Sequence, residues 1–416
     1  MQIKYHELST PTGWTKDKIG KRLKLNYGKS QATIKADDGA IPIYGTGGLM
    51  GYGNQALADG DSVLIGRKGT LGNPLYIDHP FWPVDTTYYT SDFDGSMKWF
   101  YYMMQTVGLS SLNEATGVPS LSRQTFYNVE ILFPPPEQQT AIADILTTVD
   151  QAIEQTEALI AKQRRIKAGL LHDLLTRGID EHGRLRDPST HRFKPSPVGL
   201  VPEEWEVATL GSVVDRYNGV IQTGPFGSQL HAEEYTKEGV PFVMPQDISS
   251  EGALLLDSAA KIPQHRAYDL RRHLLKENDV LFARRGDLSR CAAVRVNDIA
   301  VAGSGCMLVR VPKSAMIGEW LVRAYKHERS QRQIMARAVG STMVNLNSTL
   351  LRDLIVMLPK NAEQERILFV LGQAYELDFA TQLELDKLAT LKVGLMQDLL
   401  SGRVTVAELT KSAHMC

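Results

Sequence analysis

Much of this chain is written twice, and a duplicated chain folds as two copies of one unit whose elements recur in the same order. Trp14, in Pro11-Thr12-Gly13-Trp14, is matched by Trp205, in Pro202-Glu203-Glu204-Trp205, at an offset of 191, and Gly20 by Gly211 at the same offset. The run Val63-Leu64-Ile65-Gly66-Arg67-Lys68-Gly69 returns at 217 as Val280-Leu281-Phe282-Ala283-Arg284-Arg285-Gly286, and Trp99 returns at 221 as Trp320. From Leu121 to Thr176 the offset holds at 225 without a gap, and carries Leu121, Pro134, Gln139 and Lys167 onto Leu346, Pro359, Gln364 and Lys392. The offset only grows, so the copies share one order. Most of the extra length in the second copy lies between its Trp and its Arg-x-Gly element, as expected if a fixed frame sets geometry and a divergent insert sets specificity.

The constant stretch reads as a long helix. Glu137 to Thr176 follows Pro134-Pro135-Pro136, contains no further Pro and a single Gly, and ends at Arg177-Gly178. Proline just before a helix and glycine just after it are start and stop signals. Heptad positions Ile142, Leu146, Val149, Ile153, Ile160, Leu170 and Leu174 form a seam that is apolar at both ends, with Thr156 and Gln163 in its middle. The second copy repeats it with Ile367, Leu371, Leu385, Leu388, Leu395 and Leu399. This is an imperfect coiled-coil pattern, and two such helices bury their seams most simply against each other, antiparallel. The expected architecture is α+β: two mixed α/β domains separated by two long antiparallel helices, with an internal pseudo-twofold repeat.

Composition narrows the function. A 43% hydrophobic and 22% charged chain of 416 residues is globular and multi-domain. Three scattered cysteines suit a reducing cytoplasm and oppose a disulfide framework or zinc ribbon. Net charge is −1, yet Lys261 to Arg337 holds 16 Lys/Arg against 7 Asp/Glu, while the first 136 residues balance at 12 of each sign. A basic block supplies the phosphate attraction that DNA binding needs.

Arg67-Lys68-Gly69 and Arg284-Arg285-Gly286 each end an apolar run that reads as a strand. Arginine beside glycine at a strand end suits a loop that approaches DNA. The candidate DNA-contacting residues of the first copy are therefore Lys29, Thr46, Arg67, Lys68 and Thr70. Those of the second are Gln222, Thr223, Phe226, Ser228 and Gln229 in its small-residue loop, with Gln246, Arg284, Arg285 and Arg290. Enzyme motifs fail. Gly28-Lys29-Ser30 lacks the phosphate-loop glycine, since Leu23 stands five residues before Gly28. Asn73-Pro74-Leu75-Tyr76 departs from the amino-methyltransferase tetrapeptide at Leu75, and the ten histidines show no metal-ligand spacing. No catalytic, metal or cofactor residues are expected.

With the two Trp starts, Pro134-Pro135-Pro136-Glu137-Gln138-Gln139 and Gly169-Leu170-Leu171-His172-Asp173-Leu174-Leu175-Thr176-Arg177-Gly178 in view, the chain resembles type I restriction–modification specificity (S) subunits. Gly224-Pro225-Phe226-Gly227-Ser228-Gln229-Leu230 and Gly66-Arg67-Lys68-Gly69-Thr70 are similar to segments common in that family's target-recognition domains. The resemblance implies recognition domains at 1–136 and 205–361, helices at 137–177 and 362–403, a linker at 178–204 and a tail at 404–416. It implies a cytoplasmic bacterial or archaeal assembly, in which this chain binds double-stranded DNA and docks two modification (methyltransferase) subunits and the restriction subunits. S-adenosylmethionine, ATP and magnesium would sit on those partners. Alternatives are a modification-only system, a single-chain methyltransferase or nuclease, and a coiled-coil adaptor that reads no DNA.

Overall fold

The computed structural model describes residues 2–225, 230–338 and 345–413. They fall into two compact units, Met1–Ile160 with Ala380–Cys416, and Ala161–Phe379.

In the first unit, Thr15–Lys18 pairs antiparallel with Glu130–Phe133, from Thr15 opposite Phe133 to Lys18 opposite Glu130, and closes the domain at its two ends. Between them lies a four-stranded antiparallel sheet ordered Lys24–Tyr27, Thr87–Ser91, Ser62–Gly66, Leu75–Ile77. A three-stranded sheet is ordered Gly48–Gly53, Ile41–Gly45, Trp82–Pro83, and its last pair is parallel. Ser62–Gly66 is buried at every position, which is why it reads as a continuous apolar run and not as an alternating one. Helix Met97–Thr106 is capped by Ser96, whose hydroxyl accepts the Trp99 N–H, and it drives Trp99, Phe100 and Met103 into the core.

The second unit repeats this order. Glu206–Thr209 pairs with Ile355–Leu358. The four-stranded sheet runs Val220–Thr223, Cys306–Arg310, Val280–Ala283, Cys291–Ala293. The three-stranded one runs Lys261–Ile262, Val240–Val243, Val301–Ala302, again with a parallel last pair. Helix Gly318–Lys326 places Trp320 against Trp205, ring centroids 5.7 Å apart and nearly perpendicular.

Each domain runs into a helix of 41 residues, Pro136–Thr176 and Asn361–Ser401, on the order of 60 Å long. The second starts cleanly without a proline run. The helices pair antiparallel within each unit. In the first, Ile142 and Leu146 share a core with Met396, Leu399 and Leu400, and Asp150 meets Lys392 at 2.6 Å. In the second, Leu174 and Leu175 share a core with Ile367 and Leu371, and Lys167 meets Asp378 at 2.6 Å. Burying each such leucine contributes about 1.5–3 kcal/mol. Every expected seam position is buried or half-buried, and so are Thr156 and Gln163, so the polar middle lies on the same stripe as the apolar ends.

Two segments are more structured than a linker and a tail. Residues 178–204 carry the Phe193–Lys194/Val201–Pro202 hairpin and bury Ile179, Arg186 and Val201. Helix Val406–Ala413 sets Val406 and Leu409 against the first unit's core.

Candidate nucleic-acid interface

In the first unit, four of the five expected residues gather around the turn at 82–87. Arg67 and Lys68 both donate backbone N–H groups to Thr86 O (2.9 and 3.1 Å), and the Lys29 N–H donates to Pro83 O at 2.9 Å. A Cβ at Gly69 would stand 3.6 Å from Thr46 Oγ1, so the hairpin tip lies against the Arg67 loop. Gly69 has φ of +89°, a left-handed conformation that favours glycine and lets the chain reverse directly after Arg67-Lys68. Lys29, Lys68 and Thr70 are exposed, and Arg67 is half-buried with Nη1 donating to Asp85 O at 2.9 Å. Thr70 follows the turn glycine without a partner to fix it among these contacts.

The second unit builds the same junction. Arg284 N–H donates to Gly305 O at 2.9 Å, as Arg67 does to Thr86, and its carbonyl accepts from Leu346 N–H at 2.9 Å, as Arg67 O accepts from Leu121 N–H at 3.0 Å. Gly286 repeats the left-handed turn at φ +75°. Gly224 N–H donates to Cys306 O, and Gly28 N–H to Thr87 O. A side chain at either glycine would strike the carbonyl of Gly303 or of Val84. Thr223 and Gln222 stand beside this turn, paired with Met307 and Leu308. The Gln222 amide donates to Arg272 O at 2.6 Å. Beside Thr223, burial and the Arg272 charge hold the His273 imidazole below its ordinary pKa. Gln246 is exposed in a turn next to Gly305, where Pro245 would meet a Cβ. Arg285 is exposed. Arg290 is instead spent on the loop itself, with Nε 3.4 Å from Asp287 Oδ2 and Nη1 donating to Ile248 O at 3.1 Å. Phe226, Ser228 and Gln229 lie outside the described residues.

Two residues of this surface escaped the sequence reading. Tyr27 is 46% exposed, with the guanidiniums of Arg123 and Arg67 over its ring at 4.2 and 5.2 Å. Nothing local marks them, because strand pairing brings Tyr27 to Arg67 and the Leu121 backbone bond to Arg67 brings in the helix that Arg123 opens.

The chemistry available elsewhere is limited. Burial pushes the thiols of Cys291 and Cys306 up to about 12, so both stay protonated. Among the described residues one cluster carries metal-capable donors, a convergence that spacing did not reveal: His172, His327 and Glu328, with His172 Nδ1 3.3 Å from His327 Nε2 and 3.7 Å from Glu328 Oε1. Arg329 N–H donates to His327 Nδ1 at 3.3 Å. That bond leaves the His327 proton on Nε2, where it is donated to His172 and blocks the lone pair a metal would need.

The family model for the type I restriction modification DNA specificity domain matches residues 11–162 and again 202–389. The chain belongs to this family. Its two matches fall on the two copies found above, so each copy is one specificity domain. The chain is 22% identical over 433 residues to the specificity subunit of the type I restriction enzyme MjaVIII of Methanocaldococcus jannaschii, covering 97% of this chain and 96% of that one. It is 24% identical over 295 residues to the EcoBI specificity subunit of Escherichia coli, covering 65% and 57%. Its fold is similar to the crystal structure of the type I S subunit from M. genitalium, with a TM-score of 0.60, 17% identity and coverage of 96% and 99%. It also resembles a chain solved in a study of complex assembly and conformational transition of the type I system, with a TM-score of 0.56, 16% identity and coverage of 95% and 100%. This family is the DNA-recognition component of type I restriction–modification, and its members specify sequence without catalysing the reaction.

Proposed function

We propose that each domain reads one half of an asymmetric bipartite DNA target, through the surface around its strand-end arginine. One observation carries this reading: the junction of a close-packed glycine, a left-handed turn glycine and an arginine anchored to a turn carbonyl is built twice, at Gly28, Gly69 and Arg67 and at Gly224, Gly286 and Arg284. The flanking side chains differ, Lys29 and Lys68 in one copy and Gln246 and Arg285 in the other. A shared frame with unlike contacts gives unlike half-sites, separated by a stretch that neither domain reads. Phosphate contacts would position the duplex, and a few loop side chains would specify bases. The division 1–136, 137–177, 178–204, 205–361, 362–403 and 404–416 is the working map of domains, helices, linker and tail.

The partners follow from the family. Two modification subunits would dock along the paired helices, whose outer faces expose Ile166, Phe369, Leu377 and Phe379 in the second unit and Leu159, Leu383 and Leu391 in the first. Those subunits would carry S-adenosylmethionine and extrude the adenine they methylate. Restriction subunits would bring ATP and magnesium. The assembly would work in the cytoplasm of a bacterium or archaeon. Among the described residues no helix is long and apolar enough to cross a membrane.

Mapping methylated adenines in host DNA with and without this gene should show the loss of one bipartite motif. Replacing Arg284 and Arg285 together by Ala should then weaken binding to that motif by about tenfold or more, the scale of one good base contact. Unchanged binding would turn the reading toward a coiled-coil adaptor.

A further inference from the structure

Two guanidiniums of the first unit converge on one open aromatic ring. Tyr27 ends the strand Lys24–Tyr27, opposite Tyr88 in the neighbouring strand. Arg67 directly follows the strand Ser62–Gly66, two residues past Ile65, the Tyr88 partner. Arg123 opens the short helix Arg123–Tyr127, directly after the segment whose Leu121 N–H donates to Arg67 O and whose Leu121 O accepts from the Tyr88 hydroxyl at 3.2 Å. Backbone pairing thus fixes all three side chains at their roots. The cation–π contacts, 4.2 Å for Arg123 and 5.2 Å for Arg67, then restrict their rotamers.

What the pair lacks is an anion. Among the described residues no carboxylate pairs with either guanidinium, and Arg123 Nε is buried with no hydrogen-bond partner. Arg67 has only the Asp85 carbonyl. The exposed Lys29, two residues past Tyr27, and Lys68, next to Arg67, add to the positive field. Two planar forks held together with no counter-charge suit a phosphate oxygen better than a base edge, because base edges are neutral and a phosphodiester is not.

We propose that Arg67 and Arg123, held over Tyr27, form a clamp for one backbone phosphate of the DNA, setting the first domain's register on its half-site without reading a base. The clamp rests on the reading of this surface as DNA-facing. It belongs to one copy only. Strand register puts Thr223 where the first unit has Tyr27, and the constant offset puts Ser348 where it has Arg123. The second domain therefore lacks both the ring and the second arginine.

The test uses the full chain assembled with its methyltransferase partner, and a duplex carrying the motif mapped by methylation sequencing. Binding is followed by fluorescence anisotropy across a salt series. Arg67→Gln combined with Arg123→Gln, which strips both cations from the phosphate, should reduce the slope of log affinity against log salt by about 0.9, one phosphate's worth, and so weaken binding roughly eightfold at 0.1 M salt and threefold at 0.3 M. The loss should be equal for a duplex of unrelated sequence, and the methylated motif should stay the same. Arg67→Lys combined with Arg123→Lys, which keeps both charges, should keep the slope and controls for folding. If the parent binds DNA and the double Gln variant leaves the slope unaltered, the clamp alone is wrong. A motif relaxed at one base would also overturn it, by making one of the two arginines a base reader. A parent assembly that binds no duplex would sink the DNA-facing reading together with the clamp.

Discussion

The two units close the same corner with different chemistry. In the first, Trp14 Nε1 donates to Gln138 Oε1 at 2.9 Å, and Gln138 is open to solvent. In the second, the equivalent Trp205 and Glu363 are both buried. The Glu363 carboxylate accepts from Trp205 Nε1 at 3.2 Å, from the Ile179 N–H at 3.1 Å and from both Nη atoms of Arg186. One residue further on, the copies agree. Gln139 accepts from Ser96 N–H and donates to Pro134 O, at 3.0 and 2.9 Å; Gln364 accepts from Ile317 N–H and donates to Pro359 O, also at 3.0 and 2.9 Å. A neutral amide that satisfies two buried backbone groups is retained, because losing it strands both. The neighbouring position is free to change as long as its burial and its charge change together. The segment after the first helix covers Glu363 and also supplies the arginine that neutralises it.

That difference is open to measurement in order of size. Arg186→Ala leaves the Glu363 carboxylate buried without its counter-ion and should cost the second unit about 3–5 kcal/mol. Gln138→Ala, at the solvent-exposed counterpart, should cost the first unit about 1 kcal/mol or less. Hydrogen exchange resolved by unit reads both values separately. Equal costs would erase the distinction between the two corners.

A smaller contrast lies at the end of the domain helix, where the first copy has the buried Thr106 and the second the buried His327. Burial, with the nearby His172 and the Arg329 and Arg332 charges, lowers the His327 imidazole from 6.5 to about 4, opposed by Glu328. The unfolded chain takes up this proton below about pH 6.5 and the folded one only near pH 4. Stability present above pH 6.5 is therefore lost as pH falls toward 4. At pH 5 the loss should be about 2 kcal/mol. Thermal melts at pH 7 and pH 5 should show the second unit softened more than the first, and His327→Gln should remove that share. A variant that keeps the full pH dependence would assign it to other groups.

What the sequence disclosed follows the same division. The stretch at constant offset disclosed the two long helices and the Gln139–Gln364 correspondence, because a repeat without gaps aligns residue to residue. The recognition domains were readable only where a motif was unbroken, as at the Arg-x-Gly turns. Gly28 and Gly224 occupy equivalent sites, yet they stand 196 residues apart while the turns they touch stand 219 apart, so no single alignment offset reveals them. Tyr27 and Arg123 were invisible for a related reason. Nearly a hundred residues separate them, and only tertiary hydrogen bonding, through the sheet and the Leu121 backbone, brings them together. Residues 178–204 looked like a polar linker because Arg186 reads as exposed until Glu363 is placed beside it. The contacts of Arg290 with Ile248 and Asp287 could not be read, because these partners come from loops whose shape the sequence does not state.

The central claim is that one frame is used twice, each copy addressing its own half of the target. Exchanging residues 15–120 for those of a relative with a different specificity, and sequencing the methylated adenines of the host genome, tests it most directly. One half of the bipartite motif should change while the other stays as it was. If both halves changed, or neither did, the two domains would not be independent readers.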